Sequence, residues 1–214
     1  VAFDPYVYPG TTVLKNKFGL RDPEKLAERE SVLVWKRFSQ IYGLGFENIA
    51  LSEKLHKTIH KKLFEEVYPF AGKFREIDIS KPGETPYASS LYLNENSAKT
   101  WIDINRRFAT PPADFESLYV PLATSMGELH VLHPFREGNT RTLQLVAREI
   151  AWRAGYDVQW MNVDPELIRP AGTAAALEDF RPYIQILRSI TKKRENENQP
   201  RFGTITPRGP SGGR

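Results

Sequence analysis

The 214-residue chain carries 30 Lys and Arg against 26 Asp and Glu, for a net charge of +4, and has no cysteine. From Lys193 to the end there are five basic and two acidic residues, so the body is close to neutral, which argues against a nucleic-acid-binding face. A disulfide scaffold is excluded, no apolar run reaches the length of a membrane span, and the chain is long enough for one substantial core.

Asp22 followed by Pro23 predicts a helix start, with Leu26, Leu33, Val34, Phe38 and Ile41 facing the core before Gly43. A second helix is expected from Ser52, with Leu55, Ile59, Leu63 and Val67 at steps of four. Its histidines, His56 and His60, are four apart, but Lys57 stands where a zinc hydrolase would carry glutamate, so they are expected to be exposed helical residues. Ile77 and Ile79 then alternate with Glu76 and Asp78, and Pro82-Gly83 supplies a tight turn, the pattern of a hairpin. The edge of such a hairpin can take a target strand, with Ile77, Ile79, Lys81, Glu84 and Tyr87 as candidate contacts and Lys81 the one expected to reach target or nucleotide.

Trp101, Ile102, Ile104 and Phe108 predict a helix ending before Pro111-Pro112, and Phe115, Leu118, Leu122, Met126 and Leu129 predict the next. That helix leads into His133-Pro134-Phe135-Arg136-Glu137-Gly138-Asn139-Thr140-Arg141. Another helix runs from Asn139 to Gly155, one opens at Asp164-Pro165, and a last one spans Leu177 through Ile190. The four tryptophans, Trp35, Trp101, Trp152 and Trp160, are expected in the core, and His130 is expected to be structural. The last twenty-two residues are rich in Pro, Gly, Asn and Arg and read as a linker or tail. Starting with Val and ending in such a segment, the chain is expected to belong to a longer protein.

The nine-residue segment concentrates chemistry. Pro134 and Gly138 predict a loop, and the helix opening at Asn139 presents first-turn N–H groups and the positive end of its dipole to an anion such as a diphosphate. Glu137 would repel that anion unless a divalent ion, Mg²⁺, is shared between its carboxylate and the phosphate oxygens. Arg141 suits a phosphate oxygen pair, and His133 is the side chain with the right unperturbed pKa to take a proton from an attacking hydroxyl. This is the equipment of a phosphoryl or nucleotidyl transferase.

The same residues resemble the signature of the Fic family, His-x-Phe-x-Asp/Glu-Gly-Asn-Gly-Arg-x-x-Arg, whose members transfer AMP from ATP to a hydroxyl of a target protein. The resemblance implies an all-α Fic fold over roughly Leu20 to Ile190, with a small β-hairpin flap prepared by Tyr68 to Lys81 and clamping the target over the active site. It implies His133 as base, Glu137 as Mg²⁺ ligand, Phe135 as a buried wedge, and Gly138, Asn139 and Arg141 as phosphate binders, with Arg136, Thr140 and Gln144 also at the nucleotide. Thr140 stands at the usual second glycine and Gln144 at the usual second arginine, so grip on the outer phosphate is expected to weaken. Another nucleotide donor, phosphoryl transfer, or a target-binding module of low turnover remain open alternatives on that account.

The domain organisation expected is residues 1–190 as a Fic domain with an N-terminal extension and 191–214 as a flexible linker or the start of a following module. Tyr68 to Lys81 and Gly127 to Trp160 resemble Fic domains of effectors delivered by type IV secretion, as in Bartonella. That resemblance implies the bacterial cytoplasm before secretion and the host cytosol after delivery, with host small GTPases as a target class. Thr191 to Asn196 fits the short Ser/Thr-x-x-x-Glu-Gly/Asn pattern of the family's inhibitory helix. Because Gln144 lacks the charge to receive Glu195, inhibition by a separate small antitoxin-like protein is the expected arrangement.

Overall fold

The computed structural model describes residues 4–80, 87–164, 167–196 and 200–201. Seven α-helices are present among them: α1 Pro23–Gly43, α2 Glu53–Phe64, α3 Leu93–Arg107, α4 Phe115–Leu132, α5 Asn139–Arg153, α6 Ile168–Ala175 and α7 Arg181–Ile190. Local chemistry sets several of their starts. Asp22 accepts from the N–H groups of Glu24 and Lys25, Ser52 caps α2, and Asp114 with Ser117 forms a capping box on α4.

The apolar helix α4 is the hub, packed by α3, α5, α6 and α7, while α2 lies on α5 and α1 on α2. Leu118, Leu122, Ala123 and Met126 of α4 and Val146, Ala147 and Ala151 of α5 are fully buried between these layers. The fold is therefore the helical one expected. Two boundaries differ. The last helix starts at Arg181 rather than Leu177, because Glu178 adopts a left-handed φ of 62° that ends α6 in a turn and leaves Leu177 exposed. The helix expected at Asp164-Pro165 is described from Ile168, and Pro165 lies outside the described residues.

The two-stranded antiparallel sheet pairs β1, Tyr156–Val158, with β2, Thr191–Lys193. Thr191 to Lys193 is a paired strand, and Arg201 beyond it is buried, with one guanidinium nitrogen 2.6 Å from Glu149 and others on Glu47. The inhibitory-helix pattern from Thr191 to Asn196 likewise begins in a strand rather than a helix.

The flap's tip, with Lys81 and Glu84, lies outside the described residues. Its limbs, residues 75–80 and 87–89, carry no strand ladder among the described residues. They are tied by side chains instead. Arg75 donates to the carbonyl oxygens of Ile77 and Ala88, and Asp78 accepts from the Ser90 N–H at 2.6 Å.

Candidate active site

The segment from His133 to Arg141 wraps the junction of α4 and α5. His133 caps α4 in a left-handed conformation, φ 39° and ψ 57°, an uncommon backbone state for a residue with a side chain. Arg75 overdetermines it. This fully buried guanidinium donates to the His133 carbonyl at 2.9 Å while the Arg75 N–H donates to Pro134 at 2.8 Å, so one residue fastens the loop to the flap.

His133 is itself buried. Its Nδ1 lies 3.3 Å from the His130 carbonyl, which can only accept, so a hydrogen bond there places a proton on Nδ1. The Tyr87 ring stacks on the imidazole with centroids 3.7 Å apart. His130, expected to be structural, is buried with its ring edge-on to His133 at 5.6 Å.

Gly138 opens α5 at φ 81°, and a Cβ there would fall 2.2 Å from the Phe64 ring, so only glycine fits on both counts. Asn139 lines the cleft, and its side chain also holds the loop together. Its amide oxygen accepts from the Phe135 N–H at 2.9 Å and its amide nitrogen donates to the Phe135 carbonyl at 2.7 Å, closing the loop on itself. Phe135 is the buried wedge anticipated, with no exposed surface.

Histidines 56 and 60 are not the exposed residues expected. Both are buried, because they fall inside the apolar stripe of Leu55, Ile59, Leu63 and Phe64. His60 stacks on Phe135 at 3.7 Å, accepts at Nδ1 from the Gly72 N–H at 2.8 Å, and donates from Nε2 to the Glu137 carbonyl at 2.9 Å. Burial pushes its pKa down to about 4 and that of His56 to about 3, so both stay neutral at physiological pH.

A cleft of about 510 Å³ joins these elements. Its polar lining includes His133, Arg136, Glu137, Gly138, Asn139, Thr140 and Arg141 together with Gln144. Its apolar lining includes Val34, Trp35, Phe38, Trp160, Met161 and Ile168. Trp35, expected in the core, is instead exposed and stacked on Phe38 in this wall. Ile79 and Tyr87 of the flap reach the cleft, whereas Ile77 does not line it.

The cationic side chains are held by carboxylates. Both Nε and a terminal nitrogen of Arg136 contact Asp4, the nearer at 2.8 Å. Arg141 pairs with Glu30 at 2.6 Å and stands 3.7 Å from Glu137. Glu137 accepts the Gly138 N–H at 2.8 Å and keeps a substantially exposed carboxylate. No cluster of three or more potential metal ligands exists among the described residues. A single carboxylate is nonetheless a sufficient protein ligand for Mg²⁺ that arrives with substrate phosphates. Glu30, Arg75 and His60 escaped sequence reasoning because each acts across a gap in the chain.

Residues 50–151 match the Fic/DOC family. The chain is 32% identical over 196 residues to the protein adenylyltransferase VbhT of Bartonella schoenbuchensis, covering 91% of this chain but 39% of that protein. It is 26% identical over 190 residues to the probable protein adenylyltransferase Fic of Escherichia coli, covering 89% of this chain and 93% of that one. Its fold superposes on BepC of Bartonella tribocorum, solved with bound AMPPNP, with a TM-score of 0.82 at 22% identity, over 89% of this chain and 97% of the other.

Proposed function

The chain belongs to the Fic/DOC family, and on that premise we propose that it transfers AMP from ATP to a Ser, Thr or Tyr hydroxyl of a target protein. The observation that carries this is the cleft itself, which is lined by His133, the Glu137 carboxylate, the N-terminus of α5 and the aromatic side chains Trp35, Phe38 and Trp160.

The adenine ring fits the wall of Trp35, Phe38 and Met161, and the phosphates fit the first-turn N–H groups of α5 beside Arg141. His133 Nε2 takes the proton of the target hydroxyl as its oxygen bonds to the α-phosphorus, and the bond from that phosphorus to the bridging oxygen breaks to release pyrophosphate. Arg141 and the α5 N–H groups stabilise the departing charge. Glu137 would hold Mg²⁺, which when bound offsets phosphate charge. Ile79 and Tyr87 belong to the side of the cleft from which the target enters, and Lys81 and Glu84 would extend that contact.

We further propose, from the resemblance of the sequence to secreted Fic effectors, export from the bacterial cytoplasm to a host cytosol, a host protein of the small-GTPase class as target, and restraint by a small antitoxin-like protein. ATP labelled on the α-phosphate against ATP labelled on the γ-phosphate tests the reaction. Label retained on the target from the α position alone is expected. Retention from the γ position would mean phosphoryl transfer, and retention from neither would favour a target-binding module.

A further inference from the structure

Arg141 lines the cleft, and three groups surround its guanidinium. Glu30 accepts from Nη2 at 2.6 Å, the Phe64 ring centroid lies 5.0 Å from the guanidinium carbon, and Glu137 stands 3.7 Å away. Because the same ring excludes a side chain at Gly138, one aromatic sits against both Arg141 and the glycine that opens α5. Among the described residues the hydrogen bonds of this side chain run through Nη2 alone, which leaves Nε and Nη1 as donors for phosphate oxygens.

Glu30 is itself pinned. Its other carboxylate oxygen accepts from the hydroxyl of Tyr68, a buried member of the core stacked on Phe70. Burial and the neighbouring carboxylate push the Tyr68 pKa up, so the phenol stays a donor. Glu30 shares a stripe of α1 with Val34 and Phe38, at steps of four, and those two line the cleft. Glu30 does not line it, and its side chain is only 13% exposed, so it meets a nucleotide through Arg141. With one oxygen on Tyr68 and the other on Arg141, the carboxylate ties the arginine to a fixed point of the core.

We propose that Glu30, pinned by Tyr68, is a positioning residue for Arg141, holding the guanidinium in the orientation that takes the phosphates of the nucleotide. The assignment rests on the nucleotide-transfer function and is tested by nucleotide binding alone, without a target. Calorimetric titration with AMPPNP would compare the native chain, Glu30→Ala, Glu30→Gln, Tyr68→Phe, Arg141→Ala and the double variant Glu30→Ala/Arg141→Ala, with thermal unfolding to establish that each is folded.

Glu30→Ala should weaken AMPPNP about 5- to 10-fold, because the guanidinium is no longer held. Glu30→Gln can still accept from Arg141 and bond Tyr68, and should keep most of the affinity. Tyr68→Phe should lose about 2- to 3-fold. Arg141→Ala should lose about 10-fold or more, and the double variant no more than Arg141→Ala alone, which separates positioning of Arg141 from a general structural role. Tighter AMPPNP binding in Glu30→Ala would make Glu30 a competitor for the arginine and overturn the assignment. Native affinity in Glu30→Ala, or losses that add in the double variant, would overturn it as well. Should Glu30→Ala fail to fold, native affinity in Tyr68→Phe would do the same. Failure of the native chain to bind AMPPNP would overturn the donor-site function along with it, an outcome distinct from the others.

Discussion

His60 lies flat on Phe135, ring centroids 3.7 Å apart, and its two nitrogens bridge the Gly72 N–H to the Glu137 carbonyl. A buried imidazole from α2 thereby fixes both the aromatic wedge and the backbone of the residue expected to meet the metal.

That arrangement requires a neutral ring, since a proton on Nδ1 would face the Gly72 N–H. The folded pKa of about 4 lies below the unfolded value near 6.5, so the unfolded chain binds the proton first as pH falls. Stability is complete above about pH 6.5 and is lost between there and pH 4, by about 3 kcal/mol for this residue. His60→Gln can keep one acceptor and one donor without titrating. Urea denaturation across that range should show a shallower pH dependence in His60→Gln, and an unchanged slope would remove His60 as its cause.

Gly138→Ala should destabilise the chain by about 2–4 kcal/mol, from left-handed strain together with collision with Phe64. Phe64→Ala creates space, so a double-mutant cycle in chemical denaturation should recover the steric share but not the backbone share. Simple additivity would show that the ring is not what excludes a side chain at 138.

Arg75→Met should cost about 3 kcal/mol or more and depress turnover as well, because it strands the carbonyls of His133, Ile77 and Ala88. Steady-state kinetics should place the loss in kcat more than in the KM for ATP, since the variant frees the base and the flap rather than the nucleotide wall. Wild-type kcat in a folded variant would separate loop fixation from catalysis.

Arg201→Ala should leave Glu149, buried in α5, with Arg153 as its remaining ion-pair partner and cost about 2–4 kcal/mol. Limited proteolysis should then cleave between Lys193 and Arg201 faster than in the native chain. Equal resistance would mean that β2 alone holds the C-terminal segment.

Much of the fold was legible because α1 and α2 bury stripes at helical spacing and α1, α2 and α4 open on the caps Asp22, Ser52 and Asp114, and the loop from His133 was legible because Pro134 and Gly138 bracket a run of polar residues. What was not legible depends on partners distant in sequence. The buried stripe of α2 is two residues wide and contains His56 and His60, which polarity alone assigned to the surface. Trp35 reads as core by hydrophobicity but faces the cleft. Asn139 also bonds the Phe135 backbone through both ends of its amide, a loop-closing role that its chemistry alone does not announce. The polar composition after Lys193 concealed Arg201, whose burial depends on Glu149 half a helix away from the signature.

Intact-mass measurement of candidate target proteins after incubation with the chain, ATP and Mg²⁺, beside His133→Ala, tests the central claim most directly. The account predicts a gain of one adenylyl group per modified site with the native chain and none with His133→Ala, which should still bind ATP. An equal gain with His133→Ala would contradict the assignment of the base, and a gain of phosphate in place of AMP would contradict the reaction.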